Sequence, residues 1–171
     1  ACLTATTAGA VPETICTAPC PQPPEGGTPD APCVSPDGET LYVANADNNC
    51  VAVIDIETPR KSQVKGFIPT GWYPTALATT TNGKQLLVGV GKGNQTKPNP
   101  ATKEKLEAAK EKPAQEGGYR PFQFPYIGTT LSGALSIVDV PDDKQLAAFT
   151  DQVSRKCPSS RNLLTAAPHE R

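Results

Sequence analysis

The chain has 171 residues with a net charge of −1, 19% charged and 5% aromatic residues, 19 Pro and 14 Gly. That near-neutral balance excludes a whole-chain field suited to nucleic acid or an acidic membrane surface, and no stretch reaches the roughly 18 apolar residues of a membrane-spanning helix. So many breakers favour short strands joined by turns over long helices, in one domain of ordinary size.

Residues 1–27 are rich in Ala, Thr and Pro and end in PCPQPPEGG. Proline fixes φ and donates no hydrogen bond, so this segment is expected as extended surface chain rather than a helix or a central strand. Six cysteines, Cys2, Cys16, Cys20, Cys33, Cys50 and Cys157, make an even count. Several lie in Pro-rich chain where no core explains them, so they are candidate disulfide cysteines of a protein in an oxidising compartment; sequence alone does not choose the pairing. Cys16 and Cys20 stand one residue further apart than CxxC and have no His nearby, which makes a zinc site the weaker alternative. The CxxCH of a c-type haem is absent. With no Met and Ala at position 1, the chain is expected to be a processed protein or a piece of a longer one.

From residue 28 the pattern changes. TPDAPCVSPDGETLYVAN recurs 45 residues later as YPTALATTTNGKQLLVGV, with Pro29 on Pro74, Gly38 on Gly83, Leu41 on Leu86 and Val43 on Val88. Each copy reads as a short extended segment, a four-residue turn (Ser35–Gly38, Thr80–Gly83) and an alternating strand. In the first copy Asp47-Asn48-Asn49 predicts another turn, CVAVIDI (50–56) a strand apolar on both faces, and KGFIPTG (65–71) a fourth extended piece. Four short strands in about 45 residues match one propeller blade.

The second copy departs from this schedule. Ile137-Val138-Asp139-Val140 overlays Val53-Ile54-Asp55-Ile56 at an offset of 84, which leaves a 39-residue insertion. That insertion, at about 95–133, is expected to be partly helical: Asn99-Pro100 starts ATKEKLEAAKEK and Pro113 ends it. Its lysines are matched by glutamates, so it reads as a solvated helix and not as a nucleic-acid patch. The expectation is therefore an all-β partial propeller of about two four-stranded blades, at 28–72 and 73–153, with residues 154–171 a poorly ordered tail.

SPDGETLYVAN followed by VAVIDI resembles the repeat of YVTN-type β-propellers, found in many secreted and cell-surface proteins. GWYPTALA (71–78), GKGN (91–94) and LSGALSIVDVPD (131–142) are similar to a subgroup in which a propeller precedes a phosphoesterase module of the alkaline-phosphatase superfamily. The resemblance covers roughly residues 28–150. It implies a secreted, periplasmic or cell-surface location. It also implies that the remaining blades come from a longer chain or from other copies of this one, since a ring needs at least about four blades.

Catalytic residues are not expected. A triad or a metal-assisted phosphoester site would rest on one histidine, His169, in the unmatched tail. Gly89-Val90-Gly91-Lys92-Gly93 lacks P-loop spacing, and Asn45, Asp47, Asn48 and Asn49 are turn formers without EF-hand spacing, so no cofactor or metal is expected. The candidate binding residues are Trp72 and Tyr73, at the start of the second copy, and the aromatic run Tyr119, Phe122, Phe124 and Tyr126. The function expected is a non-catalytic binding or scaffold unit. The alternatives are the propeller portion of a phosphoesterase whose catalytic module lies outside this chain, and a surface-layer or adhesive subunit.

Overall fold

The two copies of the repeat close the same turn with the same chemistry. Gly38 (φ +82°) and Gly83 (φ +67°) sit where the chain needs left-handed backbone. Their N–H groups donate to Ser35 O and Thr80 O, both at 2.9 Å. The Ser35 hydroxyl donates to the Asp37 carboxylate, and the Thr80 hydroxyl donates to Asn82 Oδ1. The next backbone N–H, of Glu39 or Lys84, donates to that same acceptor at 3.0 Å. Polar side chains thus hold the turn without help from a core.

The computed structural model describes residues 2–5, 13–19, 27–94 and 131–156. Strands β1 (Cys2–Ala5) and β2 (Glu13–Cys16) pair antiparallel. A four-stranded antiparallel sheet follows, in chain order β3 (Pro29–Val34), β4 (Thr40–Asn45), β5 (Cys50–Asp55) and β6 (Gln63–Pro69). The second large sheet has three strands, β7 (Pro74–Thr79), β8 (Gln85–Val90) and β9 (Ala134–Asp139). The repeat is exact in the backbone: β7 and β8 start and end 45 residues after β3 and β4, and β9 lies 84 after β5. A ladder irregularity recurs too, between Pro29 and Pro32 and between Pro74 and Ala76. The fold is thus mostly β, as expected. Among the described residues these sheets stay open and do not close into a ring or barrel.

One expectation needs correction. Among the described residues the second sheet has three strands where four were expected, and helix α1 (Asp143–Lys156) follows β9 where the fourth was expected. The cause is local: Asp142 and Gln145 form a capping box, with Gln145 N–H donating to Asp142 Oδ1 at 2.7 Å and Asp142 N–H to Gln145 Oε1 at 3.3 Å. The helical insertion expected around 101–112 lies outside the described residues.

Helix α1 covers the free edge of β6 in the first sheet. Thr150 Oγ1 accepts a hydrogen bond from Phe67 N–H at 2.9 Å, so one outward donor of that edge is satisfied by a side chain. Leu146 and Phe149 enter the layer between the two large sheets, with Tyr42, Val51, Val53, Ile68, Leu86 and Val88. Val153 joins the opposite face of the first sheet, among Leu41, Val43, Cys50, Ala52, Ile54 and Phe67. Both faces of β4 and β5 are therefore buried, as their apolar runs require.

The segment 13–17, expected only as surface chain, straps that second face. Glu13 accepts from Ser62 N–H at 2.8 Å and from the Ser62 hydroxyl at 2.9 Å. Ile15 is buried in the cluster. Thr17, fully buried, donates its hydroxyl to Asn45 Oδ1 at 3.0 Å, and its carbonyl accepts from Asn45 Nδ2 at 2.6 Å. One short strand is pinned by polar contacts at both ends and by an apolar contact in the middle.

Candidate functional site

Trp72 and Tyr73 lie where the chain leaves β6 and enters β7, and their backbone is held on both sides. Trp72 N–H donates to Gly93 O at 2.7 Å, Lys92 N–H to Trp72 O at 3.1 Å, and Gly91 N–H to Tyr73 O at 2.9 Å. These bonds extend the β7–β8 ladder beyond the strands. Gly71 must be glycine for space: a Cβ there would lie 2.7 Å from Asn94 Oδ1 and 2.9 Å from Gly93 O.

Tyr73 adopts φ +61°, a left-handed conformation costly for a bulky side chain. The turn directs its N–H toward the first sheet, where Asn49 Oδ1 accepts it at 2.8 Å. Asn49 is itself left-handed (φ +52°), a conformation asparagine tolerates, and its carbonyl accepts from Thr70 N–H at 3.0 Å. Thus the Asp47-Asn48-Asn49 turn acts as a clip between the sheets.

On this frame Trp72 is 43% exposed, whereas Tyr73 is half-buried with Lys92 Nζ 4.1 Å from its ring centroid. That separation is a cation–π contact. Lys92 therefore caps the Tyr73 ring, while Trp72, the residue before it in the chain, stays exposed. Among the described residues, no group of three or more His, Cys, Asp or Glu gathers in a metal-holding arrangement. Tyr119, Phe122, Phe124 and Tyr126 lie outside the described residues.

The cysteines divide by position. Cys33 is half-buried between the sheets, with Sγ 3.9 Å from Thr79 Oγ1. Cys50 is buried on the opposite face of the first sheet, 3.9 Å from Asn45 Nδ2, so Cys33 and Cys50 are not placed to join. Cys16 is an exposed thiol at the end of β2. Cys20 and Cys157 lie outside the described residues.

An exposed apolar face of the second sheet was not among the sequence candidates. The inner face of the second sheet, Leu77, Leu86, Val88, Val90, Ala134 and Val138, packs on the first sheet. Its outer face carries Ala76, Ala78, Leu87, Gly89, Leu135 and Ile137, which the register aligns in two rows, Ala78–Leu87–Ile137 and Ala76–Gly89–Leu135. Leu135 is 65% exposed and Ile137 62%. ALSIVDV shows this in retrospect, because its apolar residues fall on both faces of one strand.

No known protein family matches the chain, and no curated protein matches it. Several solved structures show local likeness, two of them as follows. A functionally unknown protein from Desulfotomaculum acetoxidans DSM 771 matches at 24% identity and a TM-score of 0.37, over 39% of this chain and 22% of that one. Kuenenia stuttgartiensis hydrazine synthase matches at 28% identity and a TM-score of 0.36, over 42% of this chain and 20% of that one. Only about a fifth of either chain is spanned, and likeness this local carries no functional argument.

Proposed function

We propose that this chain is a non-catalytic binding or scaffold unit, a β-propeller segment whose second sheet receives a further sheet of the same repeat. The observation that carries the reading is the bare apolar face of Ala76, Ala78, Leu87, Gly89, Leu135 and Ile137. The opposite face of the same sheet is buried against a sheet of the same repeat, so this repeat already packs face to face once. Contiguous exposed apolar surface of this kind marks an interaction site. The connection from β6, the outer strand of one sheet, to β7, which lies beside β3, is also the connection that successive propeller blades use. A secreted, periplasmic or cell-surface setting accords with the YVTN-type resemblance.

For the chain by itself, a second copy supplies the missing sheet. Ala76 and Ala78 on β7 are small, while Leu135 and Ile137 on β9 are large, with β8 between them. A two-fold axis along β8 would set the large side chains of each copy over the small ones of its partner, a self-complementary arrangement. Light scattering coupled to size exclusion tests this: the 17.9 kDa chain is expected to associate at micromolar concentration. Leu135→Lys with Ile137→Lys should return it to a monomer with an unchanged far-UV circular dichroism spectrum. A wild-type monomer, or association that survives both lysines, would overturn the reading.

A further inference from the structure

We infer that Cys2 and Cys16 form a cross-strand disulfide that staples the β1–β2 pair, an assignment independent of the sheet-receiving face. The register sets Cys2 directly opposite Cys16 at the end of the ladder. Directly opposed residues of an antiparallel pair place their Cβ atoms on the same face, about 4.5–5.5 Å apart, close to the roughly 3.5–4.5 Å that a disulfide requires. Cys16 is exposed, so an oxidant can reach it.

The need for a staple follows from the local structure. Strand β2 is fixed to the first sheet by Glu13, Ile15 and the Thr17–Asn45 bonds. Among the described residues four-residue β1 pairs only with β2, and a two-stranded pair is marginal in water. Joining the terminal pair would constrain the unfolded chain and hold β1 against the strap. The chemistry is thiol–disulfide exchange with a small disulfide such as oxidised glutathione. The thiolate of one cysteine attacks it and releases one glutathione thiol; the second cysteine then attacks the mixed disulfide and releases the other. Two protein thiols lose two hydrogens and two electrons, and one glutathione disulfide becomes two thiols.

The full chain, equilibrated in a glutathione redox buffer, would be alkylated, denatured and digested after glutamate. Cleavage at Glu13 and Glu25 separates peptide 1–13, holding Cys2, from peptide 14–25, holding Cys16 and Cys20. The expected product is these two peptides joined, two hydrogens lighter than their sum. The link should persist in Cys20→Ser and vanish in Cys16→Ser. Cys2 recovered fully alkylated, a link that survives Cys16→Ser, or Cys2 joined to another peptide would each overturn the assignment. Mapping of wild type and Cys20→Ser decides the matter even if Cys16→Ser fails to fold.

Discussion

Substituting Gly66 by alanine tests how helix α1 is seated on β6. Gly66 is not among the left-handed glycines, so backbone preference alone favours alanine in a strand, by about 0.5–1 kcal/mol. The contacts predict the reverse. A Cβ at Gly66 would lie 2.4 Å from Thr150 Oγ1 and 2.9 Å from Leu146 Cγ. Overpacking of this kind costs about 1–3 kcal/mol. Moving the helix to relieve it also sacrifices the Phe67 N–H to Thr150 bond, a net loss of about 1 kcal/mol. With the backbone gain subtracted, the expected destabilisation is about 1–3.5 kcal/mol. Release of the helix limits it, since re-exposing Leu146 and Val153 costs about 1.5–3 kcal/mol for each. Urea unfolding followed by far-UV circular dichroism measures the change. A double-mutant cycle with Thr150→Ala sharpens it. Thr150→Ala alone should cost about 1 kcal/mol, and Gly66→Ala should cost less in that background, with a coupling of about 0.5–3 kcal/mol because the nearest clashing atom has gone. A neutral or stabilising Gly66→Ala, or strictly additive costs, would refute the close seating.

Asn45→Ala removes both hydrogen bonds to Thr17 from a fully buried position, and should lower stability by about 2 kcal/mol in urea unfolding, with protease cleavage within 13–19 accelerated. Asn49→Ala deletes the acceptor of Tyr73 N–H and places a less tolerant residue at φ +52°; a loss of about 1–3 kcal/mol is expected, and Asn49→Gly should recover only the conformational part. The Glu57 backbone N–H and then Lys65 hold the Asp55 carboxyl below its ordinary range, as the Ser35 hydroxyl and then the Glu39 N–H do for Asp37. The unfolded chain therefore binds more protons as pH falls below about 4, so stability present above that pH should be lost through the lowered folded values, and Asp37→Asn with Asp55→Asn should flatten that part of an acid unfolding profile.

The parts legible in the sequence are those whose causes are local. Ser35–Gly38 and Thr80–Gly83 carry their own turn chemistry, and their 45-residue spacing reappears in the strand boundaries without a shift. The strand at 134–139 was found because its apolar alternation copies that of 50–55. Helix α1 was equally local and still overlooked: Pro141-Asp142-Asp143-Lys144-Gln145 spells a capping box, but the expectation of a fourth strand competed with it. The strap was not legible. Its hold depends on Glu13 meeting Ser62 and Thr17 meeting Asn45, contacts across 49 and 28 residues that no periodicity announces. At the candidate site Trp72 and Tyr73 stood out by type, whereas Lys92 joins them only because the extended ladder brings 91–93 alongside 72–73.

The two large sheets differ in how their faces are covered, and that difference gives the chain a direction. The first sheet has one face against the second sheet, the other under Ile15 and Val153, and its β6 edge beneath α1. Polar contacts accompany each covering: Tyr73 N–H to Asn49 between the sheets, Ser62 to Glu13 and Thr17 with Asn45 at the strap, and Phe67 N–H to Thr150 at the helix. The second sheet has one face covered and the other bare, with Leu135 and Ile137 outward. In stacked repeats a terminal unit is closed by a cap and an internal unit by its neighbour. Under the proposed function, the strapped side would act as the capped end and the β7–β8–β9 side as the face that receives a neighbour. Further sheets are therefore expected to add on that side alone, because adding one at the strapped face would first require breaking the Glu13–Ser62 and Thr17–Asn45 contacts.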